Sequence, residues 1–308
     1  NKERILLKSK QVNLVRKYRE SIPDWLDEIG AAQLGEAAWE KEVHELNKEA
    51  PVVLRINTLK VSVAELINKL ALQGIEVNTL QTLFPEWQAV CPEAVLVKRQ
   101  NLLSLNEYKQ GLFEVQDAAS QLVAAFMRIK EGMTVIDACA GAGGKSLHIA
   151  ALMKNKGKII SMDVEERKLL ELKKRADRAG ASIIHTQLIN AATLHKLKNT
   201  ADCLLLDVPC SGLGVLKRTP DAKWKLSLEF IEQIKKVQQE IISSYSQMLK
   251  AGGVMVYATC SILPDENQNQ VEQFLNRNKG VFELIDDRKV LPSQGFDGFY
   301  MAAIKKRF

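Results

Sequence analysis

The sequence predicts an α/β protein: a doubly wound, mostly parallel sheet over residues 111–308, preceded by a smaller helical and α/β region over residues 1–110. Three observations predict it. From about residue 112, short apolar strands alternate with amphipathic helices. A glycine-rich turn joins the first of these strands to the first of these helices. The segment before them lacks that alternation and carries scattered helical patterns instead.

In chain order, Lys2, Arg4, Lys8, Lys10, Arg16, Lys17 and Arg19 make the opening stretch basic against only Glu3 and Glu20. Ile5, Leu6, Val12, Leu14 and Val15 recur there at helical spacing. Trp25, Leu26, Ile29 and Leu34 continue a helical pattern after Pro23. Pro51 breaks into an extended run over 52–57, and 64–72 reads as an amphipathic helix, with short strands following to about Leu105. In the larger region 133–138, 158–163, 182–188 and 203–207 read as strands, with helices over 145–154 and 165–179. Phe230, Ile234, Val237, Ile241, Tyr245 and Met248 share one helical face over 230–249, and Gly252 supplies a stop. Residues 254–259 form the next strand, Pro264 suits the first turn of a helix, and 282–285 and 299–304 close the sheet.

Composition narrows the function classes. The 308 residues are 46% hydrophobic and 26% charged, an ordinary globular mixture able to bury a core without staples. No apolar run approaches the roughly 18–20 residues that span a bilayer, and the polar start shows no signal peptide. A cytoplasmic protein with no membrane partner is expected, acting as a monomer. Five cysteines, at 91, 139, 203, 210 and 260, include no C-x-x-C pair, so no metal is expected. An odd count of free thiols fits a reducing compartment. The net charge of +6 permits a nucleic-acid partner without requiring one.

In doubly wound sheets ligands sit at the carboxyl ends of the strands. The first strand ends in Asp137 and the turn Ala138-Cys139-Ala140-Gly141-Ala142-Gly143-Gly144-Lys145-Ser146. Three ligand classes use such turns. A phosphate loop needs a glycine where Cys139 stands, and a dinucleotide fingerprint needs one where Ser146 stands. A methyltransferase needs only a short glycine-rich turn beside an acidic strand end. The second strand ends in Asp163, placed to accept hydrogen bonds from both ribose hydroxyls of a nucleoside cofactor or to cap the next helix. Two further strands end in Asp207-Val-Pro-Cys210-Ser and Thr259-Cys260-Ser. Two cysteines at the mouths of two strands face one crevice, whereas Cys91 and Cys203 read as core.

A thiolate beside S-adenosylmethionine points to one chemistry. C5 of cytosine is a poor nucleophile, and thiolate addition at C6 turns it into an enamine carbon that can take a methyl group. A lysine or backbone dipole must help ionise the thiol. Asp207 can support the base edge during attack. On this reasoning either Cys210 or Cys260 could be the nucleophile.

These motifs resemble those of the Nop/Sun RNA 5-methylcytosine methyltransferases, over nearly the whole chain. The segment 113–121, FEVQDAASQ, is similar to the stretch before that family's cofactor domain, and DACAGAGGKS resembles its D-x-C-A-A-P-G-G-K-T. DVPCSG and ATCS resemble its two cysteine motifs, DGFY (297–300) its last motif, and LRINTLK (54–60) its N-terminal RNA-binding part. The bacterial Sun/Fmu type, acting on small-subunit ribosomal RNA, is the nearest branch. The resemblance implies a Rossmann-like class I methyltransferase fold with S-adenosylmethionine as cofactor. It implies Cys260 as nucleophile, Cys210 in product release, and Asp207 and Lys145 at the cytosine. Cys139, Ala140, Gly141, Ala142, Gly143, Gly144 and Lys145 would wrap the cofactor, Asp163 its ribose, Asn190 its adenine, and Asp207 would lie near it.

Three departures stand out. Gly141-Ala142 replaces the family's Ala-Pro, which loosens the loop. Asn190 stands in the place of an aspartate. Little of the branch's helical N-terminal domain is present, so either residues precede Asn1 or RNA docks differently. The RNA partner, ribosomal before transfer RNA, is expected at Arg55, Lys217, Arg218 and the basic opening stretch, which would contact phosphates. Residues 167–178 read as plain helix surface and Trp224 as core before base-stacking. The rival readings are a P-loop-like nucleotide hydrolase, supported by GGKS and the run ending at Asp207, and a catalytically silent RNA-binding protein.

Overall fold

The computed structural model describes residues 12–308 apart from Leu83. Lys2, Arg4, Lys8 and Lys10 of the basic opening stretch lie outside the described residues. Among the described residues a short helix at Arg16–Arg19 precedes helices α1 (Asp24–Leu34) and α2 (Glu36–Leu46). Strand β1 (Val52–Ile56) follows, then α3 (Val63–Ala71), β2 (Val77–Thr79), β3 (Ala94–Val97) and β4 (Phe113–Val115). Ser62 accepts from the Glu65 amide and Glu65 from the Ser62 amide, a reciprocal cap that starts α3. Its Leu66 and Leu70 then cover the antiparallel sheet β2-β3-β1-β4. This smaller sheet extends past the boundary expected at residue 110. Phe113 is fully buried in its core, so the chain makes one more pass beside β1 before leaving.

The larger unit alternates as α4 (Ala118–Phe126), β5 (Thr134–Asp137), α5 (Gly144–Leu152), β6 (Lys158–Asp163), α6 (Glu166–Ala179), β7 (Ile184–Leu188) and α7 (Ala191–Lys196). It continues as β8 (Ala201–Asp207), α8 (Leu228–Tyr245), β9 (Leu249–Thr259), α9 (Gln268–Arg277), β10 (Phe282–Val290) and β11 (Phe299–Lys306). The sheet order is β10-β11-β9-β8-β5-β6-β7. Strands β7, β6, β5, β8 and β9 run parallel, and β11 is antiparallel to both neighbours. Alternate side chains fill opposite faces, as the period of two requires. Val135, Cys203 and Leu205 join the core under α4 and α5, while Ile136, Leu204 and Leu206 join the core under α8 and α9. Strand order reverses between β5 and β8, which opens a crevice beyond their carboxyl ends.

Two expectations change. The helix expected to 249 stops at Tyr245, and Leu249 already pairs with Ala201 in β9. Gly252, at φ 77°, lies inside β9 where pairing with β8 jumps from Ala201–Leu249 to Cys203–Val254. It accommodates an irregularity in a strand and is not a helix stop. A third packing unit bears on the site. Leu26, Trp39 and Val43 of the opening helices bury against Leu213, Leu216, Ile262 and Leu263, which follow the two cysteine-bearing strand ends.

Candidate active site

The turn after β5 is built around Asp137. This carboxylate accepts from the Ser146 hydroxyl at 2.6 Å, and Ser161 donates to Ser146 at 2.8 Å. Burial pushes the Asp137 carboxyl up to about 7. The turn then satisfies its own amides. Ala140 N–H donates to Met162 O, Gly143 N–H to Ala140 O, and Gly141 N–H to Asp163 Oδ2, all within 2.9 Å. Gly143, at φ 88°, approaches α6 so closely that a Cβ would stand 2.5 Å from Leu172 Cγ. These facts weigh against the nucleotide-hydrolase reading. A phosphate cradle needs free loop amides and a hydroxyl for magnesium, but here three amides are engaged and Ser146 is buried on Asp137.

A cleft of about 510 Å³ opens beside this turn, within the range of small-molecule sites. Cys139, Gly141 and Asp163 line one side, Ile189 and Leu194 another, and Val237, Ile241 and Tyr245 of α8 face them, with Asp207 and Pro209 completing the wall. Among the described residues, none but its own chain neighbours comes within 4 Å of the place a Cβ on Gly141 would fill. Asp163 Oδ1 accepts from the Glu165 amide in the turn that leads into α6, so the carboxylate is fixed while it lines the cleft. Burial pushes the Cys139 thiol well up. Ala140, Ala142, Gly143 and Gly144 shape the turn without lining the cleft. Neither does Asn190. It caps α7, its side chain accepting from Thr193 N at 2.9 Å and its own amide donating to Thr193 Oγ1. The α8 wall was missed as a site because its spacing reads simply as the apolar face of a helix.

Beyond the cleft the structure brings Lys145, Asp207, Cys210 and Cys260 together. Lys145 Nζ donates to Asp207 Oδ2 at 2.6 Å and lies 5.2 Å from the centre of the Phe299 ring. Burial alone would lower the Lys145 pKa, but Asp207 outweighs it and holds the ammonium above its ordinary range. The Cys210 and Cys260 sulfurs are 3.2 Å apart. Contact with Cys260, reinforced by burial, pushes the Cys210 thiol well above its ordinary value. Cys91 and Cys203 are buried elsewhere, as core.

Glycines set the backbone under the sulfurs. Gly214 N–H donates to Cys260 O at 2.9 Å and Gly298 N–H to Gly214 O at 2.8 Å. A Cβ on Gly214 would stand 2.2 Å from Gly298 O and 2.7 Å from Cys260 O. Gly214→Ala is therefore expected to cost about 2–4 kcal/mol, read as a lower midpoint in thermal unfolding. An unchanged midpoint would show that the Cys260 turn tolerates displacement.

The residues expected to meet RNA phosphate are placed differently. Arg55 is only 2% exposed on β1, and its guanidinium donates to Gln116 Oε1 and, at 2.6 Å, to Gly144 O. It braces the first turn of α5 from between the two sheets, and burial lowers its pKa to about 10. Lys217 donates to Pro292 O at 2.9 Å. Arg218 is held by Asp117 and Asp297, each at 2.7 Å, which ties the segment before the cofactor domain to the last motif. Of the three, Arg218 is paired with carboxylates, whereas Arg55 and Lys217 donate to uncharged oxygens. The helix surface read as plain is also engaged, since Arg175 donates to Ala142 O at 2.8 Å and, with Arg178, binds the buried Glu114 of β4. Trp224, read as core, is 57% exposed.

Comparison with known proteins follows the same lines. Residues 124–305 match the family model described as 16S rRNA methyltransferase RsmB/F, and residues 22–100 match an RsmF/B-like, ferredoxin-like domain. The "Probable ribosomal RNA small subunit methyltransferase B" of Bacillus subtilis (strain 168) is 32% identical over 93% of this chain and 67% of its own length. The crystal structure of PH0851 superposes with a TM-score of 0.87 at 30% identity, covering 94% of this chain and 67% of that one. NSun6 from Pyrococcus horikoshii, solved with SFG, shares the fold at a TM-score of 0.83 and 22% identity, over 93% of this chain and 99% of its own.

Proposed function

The chain belongs to the 16S rRNA methyltransferase RsmB/F family, and from that premise we propose that it methylates C5 of a cytosine in RNA, small-subunit ribosomal RNA before transfer RNA, with S-adenosylmethionine as cofactor. The observation that carries the C5 assignment is the pair of sulfurs 3.2 Å apart, beside a lysine–aspartate pair and next to the cleft. Methylation at an oxygen or an exocyclic nitrogen has no use for a nucleophilic thiol.

The cleft fits the cofactor. Both Asp163 oxygens keep lone pairs for the two ribose hydroxyls, the open space over Gly141 admits a close backbone approach, and Ile189, Leu194 and Tyr245 offer apolar surface to a flat base. When bound, S-adenosylmethionine supplies an electrophilic methyl group. Asp163→Ala is expected to weaken cofactor binding about 10–100-fold, the scale of hydrogen bonds to a charged group, measured by calorimetry. Unchanged affinity would remove Asp163 from the site.

The residues divide the work on the base. The target cytosine leaves its stack to reach the crevice. Cys260 adds as thiolate to C6, forming a C–S bond and making C5 nucleophilic. The Lys145 ammonium stabilises the thiolate and the charge that grows on the ring, and Asp207 holds that ammonium while facing the base edge. Once C5 carries the methyl group, a base removes its proton, the C–S bond breaks and Cys260 leaves as thiolate. Cys210, against the Cys260 sulfur, assists this release. Transfer of labelled methyl to unmodified small-subunit ribosomal RNA, followed by digestion to nucleosides, tests the assignment. Label in 5-methylcytidine is expected. Label in any other nucleoside overturns the C5 reading, and no transfer to ribosomal or transfer RNA by cofactor-loaded protein overturns the activity.

A further inference from the structure

The glycine-rich turn after β5 is also held from outside its own sheet. Three of its amides bond to Met162, Asp163 and Ala140, and two of its carbonyls are taken by arginines. Arg175 of α6 donates from Nη1 to Ala142 O at 2.8 Å and from Nη2 to Glu114 Oε2 at 2.8 Å. Arg55 of β1 donates to Gly144 O at 2.6 Å. Arg55 and Glu114 are paired positions on β1 and β4 of the smaller sheet. Among the described residues none before Ala138 lines the cleft, so the smaller sheet bears on it from behind the turn. Leu172, Arg175 and Arg178 recur every third residue, along one face of α6. Leu172 stands where a Cβ on Gly143 would be, Arg175 bonds both the turn and Glu114, and Arg178 bonds Glu114 but not the turn. The end of α6 is tied to the smaller sheet separately, since Asn57 Nδ2 donates to Ala179 O at 2.8 Å and Lys60 Nζ to Arg178 O at 2.6 Å.

We propose that Arg175 is a positioning residue for the cofactor: anchored on Glu114 of the smaller sheet, it pins the Ala142 carbonyl and so fixes the Gly141 peptide that lines the cleft. The turn needs such a pin. Gly141 sits at φ 52°, in the left-handed region that glycine adopts freely, and Ala142 adds no ring to restrict the chain. Backbone freedom that is lost only when a ligand binds costs affinity, and a turn fixed beforehand avoids that cost. A planar guanidinium with one prong on a buried carboxylate and the other on a carbonyl sets both distance and angle. The purpose of the pin rests on reading the cleft as the S-adenosylmethionine site, but the pin itself can be measured without cofactor.

Arg175→Met keeps an unbranched apolar stem and removes both prongs. Arg178→Met is its control. The two side chains are 19% and 20% exposed and bind the same carboxylate, but only Arg175 reaches the turn. Two quantities are read: amide hydrogen exchange of cofactor-free protein over residues 139–145, and S-adenosylmethionine affinity by calorimetry. In Arg175→Met the turn amides are expected to exchange about tenfold faster and the affinity to fall about tenfold, the scale of one hydrogen bond from a charged group. In Arg178→Met both are expected to change less than about twofold, although the thermal midpoints of the two variants fall alike. Arg175→Lys keeps the charge beside Glu114 but replaces the fork by a single nitrogen, and it is expected to shift both quantities in the same direction as the methionine variant, which covers a failure of that variant to fold. Wild-type exchange or wild-type affinity in a folded Arg175 variant overturns the proposal. So does an equal loss in Arg178→Met, which would make the contact structural. Wild-type protein that binds no S-adenosylmethionine overturns the cofactor reading instead, and the exchange comparison then still decides whether Arg175 fixes the turn.

Discussion

Cys260→Ala is expected to lose methyl transfer to RNA by about a thousandfold or more while keeping the fold and the cofactor affinity. Without addition at C6, C5 has too little electron density to attack a methyl donor, and nothing else near the site can supply the bond. Cys210 is no substitute, because burial still raises its thiol pKa once the Cys260 sulfur is gone. The fold should survive because the turn is held by other groups. Gly214 N–H binds the Cys260 carbonyl, Asn267 donates to Ser261 O at 3.0 Å, and Glu266 holds Ser261. Initial rates, thermal unfolding and cofactor calorimetry on the same preparation check all three parts. Turnover retained by a folded variant would remove Cys260 as nucleophile.

Cys210→Ala should fail later in the cycle. Addition and methylation proceed, but release slows about a hundredfold or more, the scale of lost general acid–base assistance. A protein–RNA adduct then accumulates and survives denaturing electrophoresis. The contrast with Cys260→Ala is qualitative, since one variant forms no adduct and the other cannot let go. Normal turnover without any adduct would take Cys210 out of the reaction.

The parts of this site legible in the sequence are those that local rules reach. Strand ends and a glycine turn are short-range signals, so Asp137, Asp163, Asp207, Cys210 and Cys260 could each be placed at the rim of one sheet. The sheet brings Lys145 to Asp207 across 62 residues and the sulfurs together across 50. What stayed hidden depends on contacts between distant elements. Arg55 looked like a surface charge because alternation in β1 does not reveal a second sheet beyond it. Arg218 looked free because its two carboxylates lie 79 and 101 residues away. Glu266 belongs to no motif by itself, and its partners on the Cys210 side are 55 and 28 residues distant. Asn190 shows the converse, a residue assigned to the cofactor by position whose side chain caps the local helix.

The covalent role of Cys260 can be read directly with RNA transcribed with 5-fluorocytidine in place of cytidine. Fluorine replaces the C5 hydrogen that a base must remove, so after methylation the C–S bond cannot be released by elimination. Wild-type protein incubated with this RNA and S-adenosylmethionine, then digested with protease and nuclease, should give one modified peptide. It should carry a methylated, fluorinated nucleotide on Cys260. The same nucleotide on Cys210, or efficient methylation of ordinary cytosine with no adduct on the fluorinated RNA, would contradict it.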